Sequence, residues 1–369
     1  MPKTSIEIRE PRLEEKERLQ DFYRKIYRPD YPFLDDRFLL WWFNQNPLFE
    51  RKDNFSCKIA LDGDAIIGHF GFLPVAVWAE GGGYSGAWTG NFVVDQAYRG
   101  QGIGRKLARA IMSEFDVTLD IGANELAEKV LSRLGWRNFG GLHRYVGVLD
   151  QVQAKFLTDN PKYLDGGYIA IQSEINPPGV ACEIINEFSQ ATDEFWDEFK
   201  KRIPYATERT HTFLNWRYRD HPLFNYKIFQ ATSAGRVAGF AVLRFEEARG
   251  IPEKVKVTRI VEFLAFPEAA AHLLRHIVNF SRENSAALVD FFCSSDMCAE
   301  PFRAFGFLSS PASHNIARLF QPVVLGSRAI SFNGANCGKK LNQESFSDQA
   351  RWYVTTGDGD QDRPNSINS

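Results

Sequence analysis

The sequence predicts an α/β protein made of two copies of one fold. Strand-like and helix-like patterns alternate along the chain, and 369 residues exceed what one ordinary hydrophobic core accommodates. The run FLLWW, followed by NPLF at Asn46, returns as FLNWR followed by HPLF at His221. Similarly, SRLGW around Gly135 returns as FRAFGF around Gly306, and the strand at Gly68 is answered by VAGFAVLRF. Motifs repeated in the same order indicate an internal duplication.

The first copy opens with a predicted strand and helix. Ile6 and Ile8 alternate as in a strand, and after Pro11 apolar residues recur at helical spacing in a charged background. Residues 38–49, FLLWWFNQNPLF, predict a second helix. The runs FSCKIAL and AIIGHFGFL predict two strands, joined by a hairpin turn at the Asp-Gly-Asp of residues 62–64.

A strand, a glycine-rich loop and a helix follow in the middle of the first copy. The strand AWTGNFVV ends at Val94, and residues 99–104 separate it from the helical run KLARAIMSEF. DVTLDIGA then resumes a strand pattern, and ELAEKVLSRLG predicts a helix. That helix ends at Gly135, because glycine suits the position after a helix.

We divide the sequence into two domains, a linker and a C-terminal extension. The first domain covers residues 1–150, the linker 151–180, the second domain 181–322 and the extension 323–369. An Asn-Pro-Pro-Gly run marks the linker, and the extension has no counterpart in the first copy.

Three aspartates near the end of the chain have the spacing that opens a calcium-binding loop: Asp358, Asp360 and Asp362. The closing glutamate of such a loop is absent, so we expect a solvated acidic tail. The alternative is that these carboxylates attract a cationic amine.

Charge and composition narrow the class of partner. Lys plus Arg number 44 against 46 Asp plus Glu, so no broad cationic field is available for nucleic acid or an anionic membrane. No uncharged apolar run approaches the roughly 18 residues of a membrane span, and we expect a cytoplasmic protein. The 5 cysteines are scattered, which predicts reduced thiols and no metal site.

The segment VVDQAYRGQGIGRKLARAI carries the main functional signal. A helix start leaves backbone N–H groups without partners and carries partial positive charge, so it suits a phosphate. Glycines let the backbone approach the anion, and Arg99 and Arg105 add charged donors. The dinucleotide and nucleoside-triphosphate fingerprints are absent, so we expect a different diphosphate ligand. An ordinary strand-to-helix turn is the alternative.

These residues resemble the GNAT superfamily of N-acetyltransferases. The family's pyrophosphate signature is Arg or Gln, two residues, Gly, one residue, then Gly or Ala, and it is matched by Arg99, Gly102 and Gly104. A later family element is matched by Asn124, Ala127, Gly135 and Trp136. The resemblance covers about residues 5–150. It implies an α+β architecture of two tandem GNAT-like domains, each a mixed, mostly antiparallel central sheet flanked by helices.

The resemblance also implies that acetyl-CoA binds here as the acyl donor. In that family the strand before the loop is splayed from its neighbour, and the pantetheine arm lies in the gap. Transferred to this sequence, the Val93 and Val94 amides hold the thioester, and backbone donors there stabilise its oxyanion. The implied cofactor-binding residues are Phe92, Val93, Val94, Arg99, Gly100, Gln101, Gly102, Ile103, Gly104, Arg105 and Asn124.

The catalytic side chains are less clearly marked. Many GNAT enzymes place a proton-donating tyrosine seven residues after the asparagine, where this sequence has Leu131. Tyr145 is the candidate acid in its stead, although a packed strand aromatic is the alternative. Candidate bases are His69, Asp120 and Glu262, each with a structural alternative, and a water chain would also serve.

We expect direct attack of a small-molecule primary amine on acetyl-CoA in a ternary complex, by a monomer or homodimer. The second copy has Pro267 where the glycine loop would lie, so it is expected to be degenerate and to form a pocket wall or a buttress. Two alternatives stay open. One is an aminoacyl or longer-chain acyl transferase of the tandem-GNAT type, and the other is a non-catalytic acyl-CoA-binding regulator.

Overall fold

The strands of the chain form two large sheets and a small ribbon. The computed structural model describes residues 6–169, 179–317, 319–320, 323–324 and 329–366. Its strands are β1 (Glu7–Arg9), β2 (Cys57–Asp62), β3 (Ala65–Ala79), β4 (Gly82–Val94), β5 (Val117–Ile121), β6 (Arg137–Gly141), β7 (His143–Val148), β8 (Val180–Ile185), β9 (Tyr205–Thr207), β10 (Lys227–Ser233), β11 (Arg236–Glu247), β12 (Lys256–Ala265), β13 (Leu288–Cys293), β14 (Leu308–Ser309), β15 (Leu319–Phe320), β16 (Val323–Val324), β17 (Ser331–Asn336) and β18 (Trp352–Tyr353).

The helices pack on the faces of these sheets. They are α1 (Lys16–Ile26), α2 (Asp36–Phe43), α3 (Ile103–Met112), α4 (Glu125–Ser132), α5 (Gln151–Ala154), α6 (Gln190–Phe199), α7 (His211–Leu214), α8 (Pro267–Glu283), α9 (Ala299–Ala304) and α10 (Gln343–Ser347). Helices α1, α2 and α3 contact the first sheet, and α6 and α8 contact the second. None of the described helices is long and apolar enough to cross a membrane.

The two sheets share one strand order. The first runs β1-β2-β3-β4-β5-β17-β6, and the second runs β8-β10-β11-β12-β13-β7-β14. Each is mostly antiparallel, with one parallel pair in the middle, β4–β5 in the first and β12–β13 in the second. The predicted fold class, mixed and mostly antiparallel sheets flanked by helices, is therefore confirmed.

The sixth strand of each sheet comes from the other half of the chain. Strand β7, which precedes the linker, lies between β13 and β14 in the second sheet. Strand β17, from the C-terminal extension, lies between β5 and β6 in the first. The division at residues 150, 180 and 322 stays a proposal, to which the structure adds an exchange of strands across it.

The repeated tryptophans meet each other. Trp41 and Trp216, which occupy the same place in FLLWW and FLNWR, stack with ring centroids 5.0 Å apart. The Nε1 of Trp41 donates to the carbonyl of Trp216 at 2.9 Å, and the Nε1 of Trp216 donates to the carbonyl of Trp41 at 3.3 Å. Reciprocal contacts between equivalent residues are typical of a two-fold relation between two copies.

The local predictions for the first copy hold with one correction. The hairpin at residues 62–64 joins β2 to β3, and Gly63 has a φ of 56°. The helix expected over residues 38–49 ends at Phe43 instead. Pro47 disfavours helical dihedrals at the residue before it, and the Asn46 side chain instead donates to the carbonyl of Pro74 at 2.8 Å.

The expectation of a solvated acidic tail is wrong. Asp358 is 5% exposed and Asp362 is fully buried. Trp352 and Tyr353 pair with β9, and the chain then continues between the two sheets. The tail is retained there because buried arginines of the second half bind its carboxylates, as described below.

Candidate functional site

The two central parallel strands of the first sheet part from each other. Their pairing extends from Gly86 opposite Val117 to Thr89 opposite Asp120, whereas β4 continues to Val94. Beyond Thr89 the edge of β4 that faces β5 has no strand partner among the described residues. A gap therefore opens in the sheet between the end of β5 and the second half of β4.

A β-bulge lies on β4 at the start of this gap. Asn91 has a φ of 55°, and the register with β3 shifts there. His69 on β3 is fully buried, and its Nδ1 lies 2.9 Å from the carbonyl oxygen of Asn91. Because a carbonyl can only accept, Nδ1 carries the proton, and Nε2 accepts from the Tyr23 hydroxyl at 2.8 Å.

His69 is consequently a fixed, neutral group. Burial lowers its pKa to about 4, and both ring nitrogens are already bonded within the protein. A histidine so placed positions the bulge and is a poor proton acceptor for a substrate. Its role as a base stays a prediction that the hydrogen bonds do not favour.

The glycine-rich loop lies at the far end of the gap and is open to solvent. Gly100 and Gly102 have φ values of 81° and 80°, a region that favours glycine. Gly102 is the N-cap of α3 and no side chain caps the helix, so the first N–H groups of the helix are available to an anion. Arg99 and Arg105 are both exposed beside it.

The predicted cofactor-binding residues come together around the gap. Arg99 donates from Nε to the carbonyl of Val94 at 3.2 Å, so its guanidinium stays next to the strand end. Gly104 faces the Phe92 ring, where an added methyl group would lie 3.0 Å from the ring. Asn124 begins α4, its Oδ1 accepting the N–H of Ala127 at 3.0 Å.

Asp120 lies where the two strands part. Its side chain accepts a hydrogen bond from the Thr89 hydroxyl at 3.2 Å, and its second oxygen, Oδ1, has no described partner. Burial raises the pKa of Asp120 to about 8, and the carboxylate of Asp360 raises it further. The sequence shows Asp120 only as one of several strand acids, and nothing in its local pattern separates it from the others.

The C-terminal tail reaches the inner end of the gap. A methyl group on Gly90 would lie 2.7 Å from Oδ2 of Asp360, so this carboxyl approaches the β4 backbone closely. Gln361 donates to the carbonyl of Ile121, the last residue of β5, at 2.9 Å. Burial also raises the pKa of Asp360. Two carboxyls with raised pKa values therefore lie together at the point where the strands separate.

Glu262 belongs to the network that holds the tail. Its carboxylate accepts from the Tyr353 hydroxyl at 2.6 Å and from the Tyr218 hydroxyl at 3.3 Å, and Arg209 lies 3.4 Å away. Arg209 in turn pairs with Asp358 at 2.7 Å. Burial raises the pKa of Glu262, but its oxygens are bonded to protein groups, so the structure presents it as a structural partner.

Tyr145 is not brought to the loop. It lies on β7 in the second sheet, fully buried, with its ring beside Phe291 and Phe302. Its hydroxyl lies 3.5 Å from a carboxylate oxygen of Asp296. The strand exchange is the reason, because β7 follows the first copy in sequence but pairs with β13. Leu131 packs in the core beneath α3, as a leucine should.

Comparison with known proteins agrees with this geometry. Residues 16–130 match the model of the Acetyltransferase (GNAT) family. The chain contains a GNAT domain. That match includes the loop at residues 99–104 and Asn124. A search of curated proteins gives no match.

Solved structures with low sequence identity share the GNAT fold over most of the chain. A GCN5-related N-acetyltransferase from Anabaena variabilis has a TM-score of 0.56 at 10% identity, over 89% of this chain and 72% of that one. N-myristoyltransferase from Saccharomyces cerevisiae, solved with bound myristoyl-CoA, has a TM-score of 0.55 at 10% identity, over 90% and 82%. A probable N-acyltransferase from Enterococcus faecalis has a TM-score of 0.53 at 12% identity, over 89% and 72%.

Proposed function

We propose that this protein transfers an acetyl group from acetyl-CoA to a primary amine of a small molecule, by direct attack in a ternary complex. The observation that carries the proposal is the gap between β4 and β5, which leads from buried carboxyls to an exposed, glycine-capped helix start. One channel thus offers an anion site at one end and proton-transfer groups at the other.

The donor would lie along the second half of β4. The diphosphate would accept hydrogen bonds from the amides at the start of α3, with Arg99 and Arg105 as additional charged donors. The pantetheine arm would pair with the free edge of β4 between Asn91 and Val94. Backbone amides there would stabilise the oxyanion that develops when the thioester is attacked.

Asp120 and Asp360 would carry the protons. An amine arrives as an ammonium ion, and an ionised carboxyl at Asp120 removes one proton so that nitrogen can attack the thioester carbon. The new carbon–nitrogen bond forms as the carbon–sulfur bond breaks, and the carboxyl pair returns a proton to the departing thiolate. Two carboxyls whose pKa values are both raised suit this exchange near neutral pH.

The acceptor would enter next to the tail. Tyr27 and Tyr31 stack there with centroids 4.0 Å apart, and Arg363 lies 5.8 Å from the centre of the Tyr31 ring. The Tyr31 hydroxyl donates to the Asn91 side chain, so this aromatic wall adjoins the bulge. Buried carboxyls beside aromatic faces favour an amine-bearing organic molecule over an acidic one.

Thiol release measures this function directly. The full chain is incubated with acetyl-CoA, octanoyl-CoA or myristoyl-CoA and a panel of primary amines, and free CoA thiol is titrated. We expect acetyl-CoA to support amine-dependent release. Faster release with a long acyl chain would favour a longer-chain acyltransferase, and tight binding without release would favour a regulator. Calorimetry that detects no CoA binding would contradict the whole proposal.

A further inference from the structure

Three side chains of the kinds that bind zinc meet in the second half of the chain, where α8 crosses the edge strand β8. Cys182 lies on β8, and His272 and His276 lie on α8. The sulfur and one ring nitrogen from each histidine all lie within 4.8 Å of one another. The ligands are far apart in sequence, which is why the spacing of the cysteines alone predicts no metal site.

The spacing on the helix suits chelation. Residues four apart lie on one face of an α-helix, and the two imidazole rings are 4.6 Å apart at an angle of 75°. In a tetrahedral zinc site, bonds of about 2.0–2.3 Å put the donor atoms roughly 3.3–3.8 Å apart. Small side-chain rotations would bring this cluster to that geometry.

Burial differs among the three ligands in a useful way. His272 is 2% exposed, so its ring is held by the protein, whereas Cys182 and His276 are only partly buried. An ion could enter from the exposed side and keep a water as a fourth ligand. One thiolate and two imidazoles select zinc and similar metals over magnesium or calcium, which prefer oxygen ligands.

The ionisation of the thiol gives the site a dependence on pH. Burial raises the pKa of Cys182 to about 12, so without a metal the sulfur is protonated at neutral pH. Metal binding must displace that proton, because thiolate is the binding form. Affinity should therefore rise with pH.

We propose that Cys182, His272 and His276 form a zinc-binding site that fastens α8 to β8. Strand β8 pairs only with β10 among the described strands, so it is an edge strand with one neighbour. A metal bond to α8 would hold this edge independently of the acyl-transfer site. The inference uses no part of the proposed acetyltransferase mechanism.

Cobalt titration of the metal-free full chain tests the proposal. Co²⁺ replaces Zn²⁺ in such sites and reports its ligands by visible absorption, with a thiolate charge-transfer band if sulfur is bound. We expect one Co²⁺ per chain, with that band, displaced by Zn²⁺. Changes around a metal's ligands cost about 10–100-fold in affinity, so loss of a ligand in Cys182→Ser or His276→Gln should cost at least ~100-fold.

Cys337→Ser is the matched control, because this partly buried cysteine lies outside the cluster. It should leave cobalt binding unchanged. Binding without the charge-transfer band, or binding that His276→Gln leaves intact, would overturn the proposal, as would no binding at all. His276 is partly exposed, so its variant should fold even if Cys182→Ser does not, and circular dichroism checks this.

Discussion

The two sheets each have a gap after their central parallel pair, but only one gap is available to a ligand. In the second sheet the pairing of β12 with β13 ends at Ile260 opposite Phe291. The tail occupies the space beyond: Thr355 donates to the carbonyl of Val261 at 2.6 Å and bridges to Cys293. The first sheet has no such insert along β4, where the tail touches only the inner end of the gap.

The helix starts differ in the same sense. Where the first copy has glycines before α3, the second has Pro267 at the first position of α8. Proline lacks an N–H group and stiffens the turn, so this helix start is a poor anion site. One fold thus keeps a ligand channel where glycines precede the helix, and closes it with its own chain where they do not.

The largest expected effect concerns the glycine loop. Gly102→Trp should abolish acetyl-CoA binding, because the side chain would fill the anion site and the residue has a φ of 80°. A methyl group there already lies 3.4 Å from the Arg105 guanidinium. Isothermal calorimetry with acetyl-CoA measures the loss.

Gly63→Trp is the control for that experiment. Gly63 also has a positive φ, 56°, but it lies in the β2–β3 hairpin with open space around it. Both variants carry a similar backbone cost of about 1–2 kcal/mol. Equal binding by the two variants would mean that the loop does not hold the donor.

Asp120→Asn should lower kcat by about 10²- to 10⁴-fold, the usual worth of a general base, with little change in KM for acetyl-CoA. The amide keeps an acceptor for Thr89 and carries no charge, so folding should be preserved. Asp116→Asn, at the solvent end of the same strand, should retain full turnover. Steady-state kinetics decide, and an active Asp120→Asn enzyme would remove this carboxyl from the mechanism.

Asp358→Asn tests how firmly the tail is held in the second gap. Arg209 is 1% exposed, and losing a charged partner of a buried pair costs roughly 3–5 kcal/mol. Glu262 remains 3.4 Å away, so we expect about 3 kcal/mol less stability by urea denaturation. Asp21→Asn, which breaks the exposed pair with Arg24, should cost less than about 0.5 kcal/mol. Equal small losses would mean that the tail is weakly bound.

The loop was predictable from sequence and the carboxyl pair was not, for a physical reason. Glycines before a helix act through local backbone geometry, so residues 99–104 announce their role in the sequence itself. Asp120 and Asp360 acquire their raised pKa values from burial and from each other, across most of the chain. Tyr145 failed to reach the loop for the same reason, since the exchange of β7 and β17 leaves no mark on either strand's own pattern.

Asp360→Asn should give the smallest effect, a shift in pH dependence. Because Asp120 has a pKa of about 8, its ionised form, and hence the rate, should be lost as pH falls below about 8. Removing the negative charge of Asp360 lowers that pKa, so the rise in kcat should move to lower pH by about one unit. Glu128→Gln, a weaker contributor to the same pKa, should move it less. A profile that neither variant shifts would mean that the rate follows another group, and that the open gap lacks the coupled carboxyls that distinguish it from the closed one.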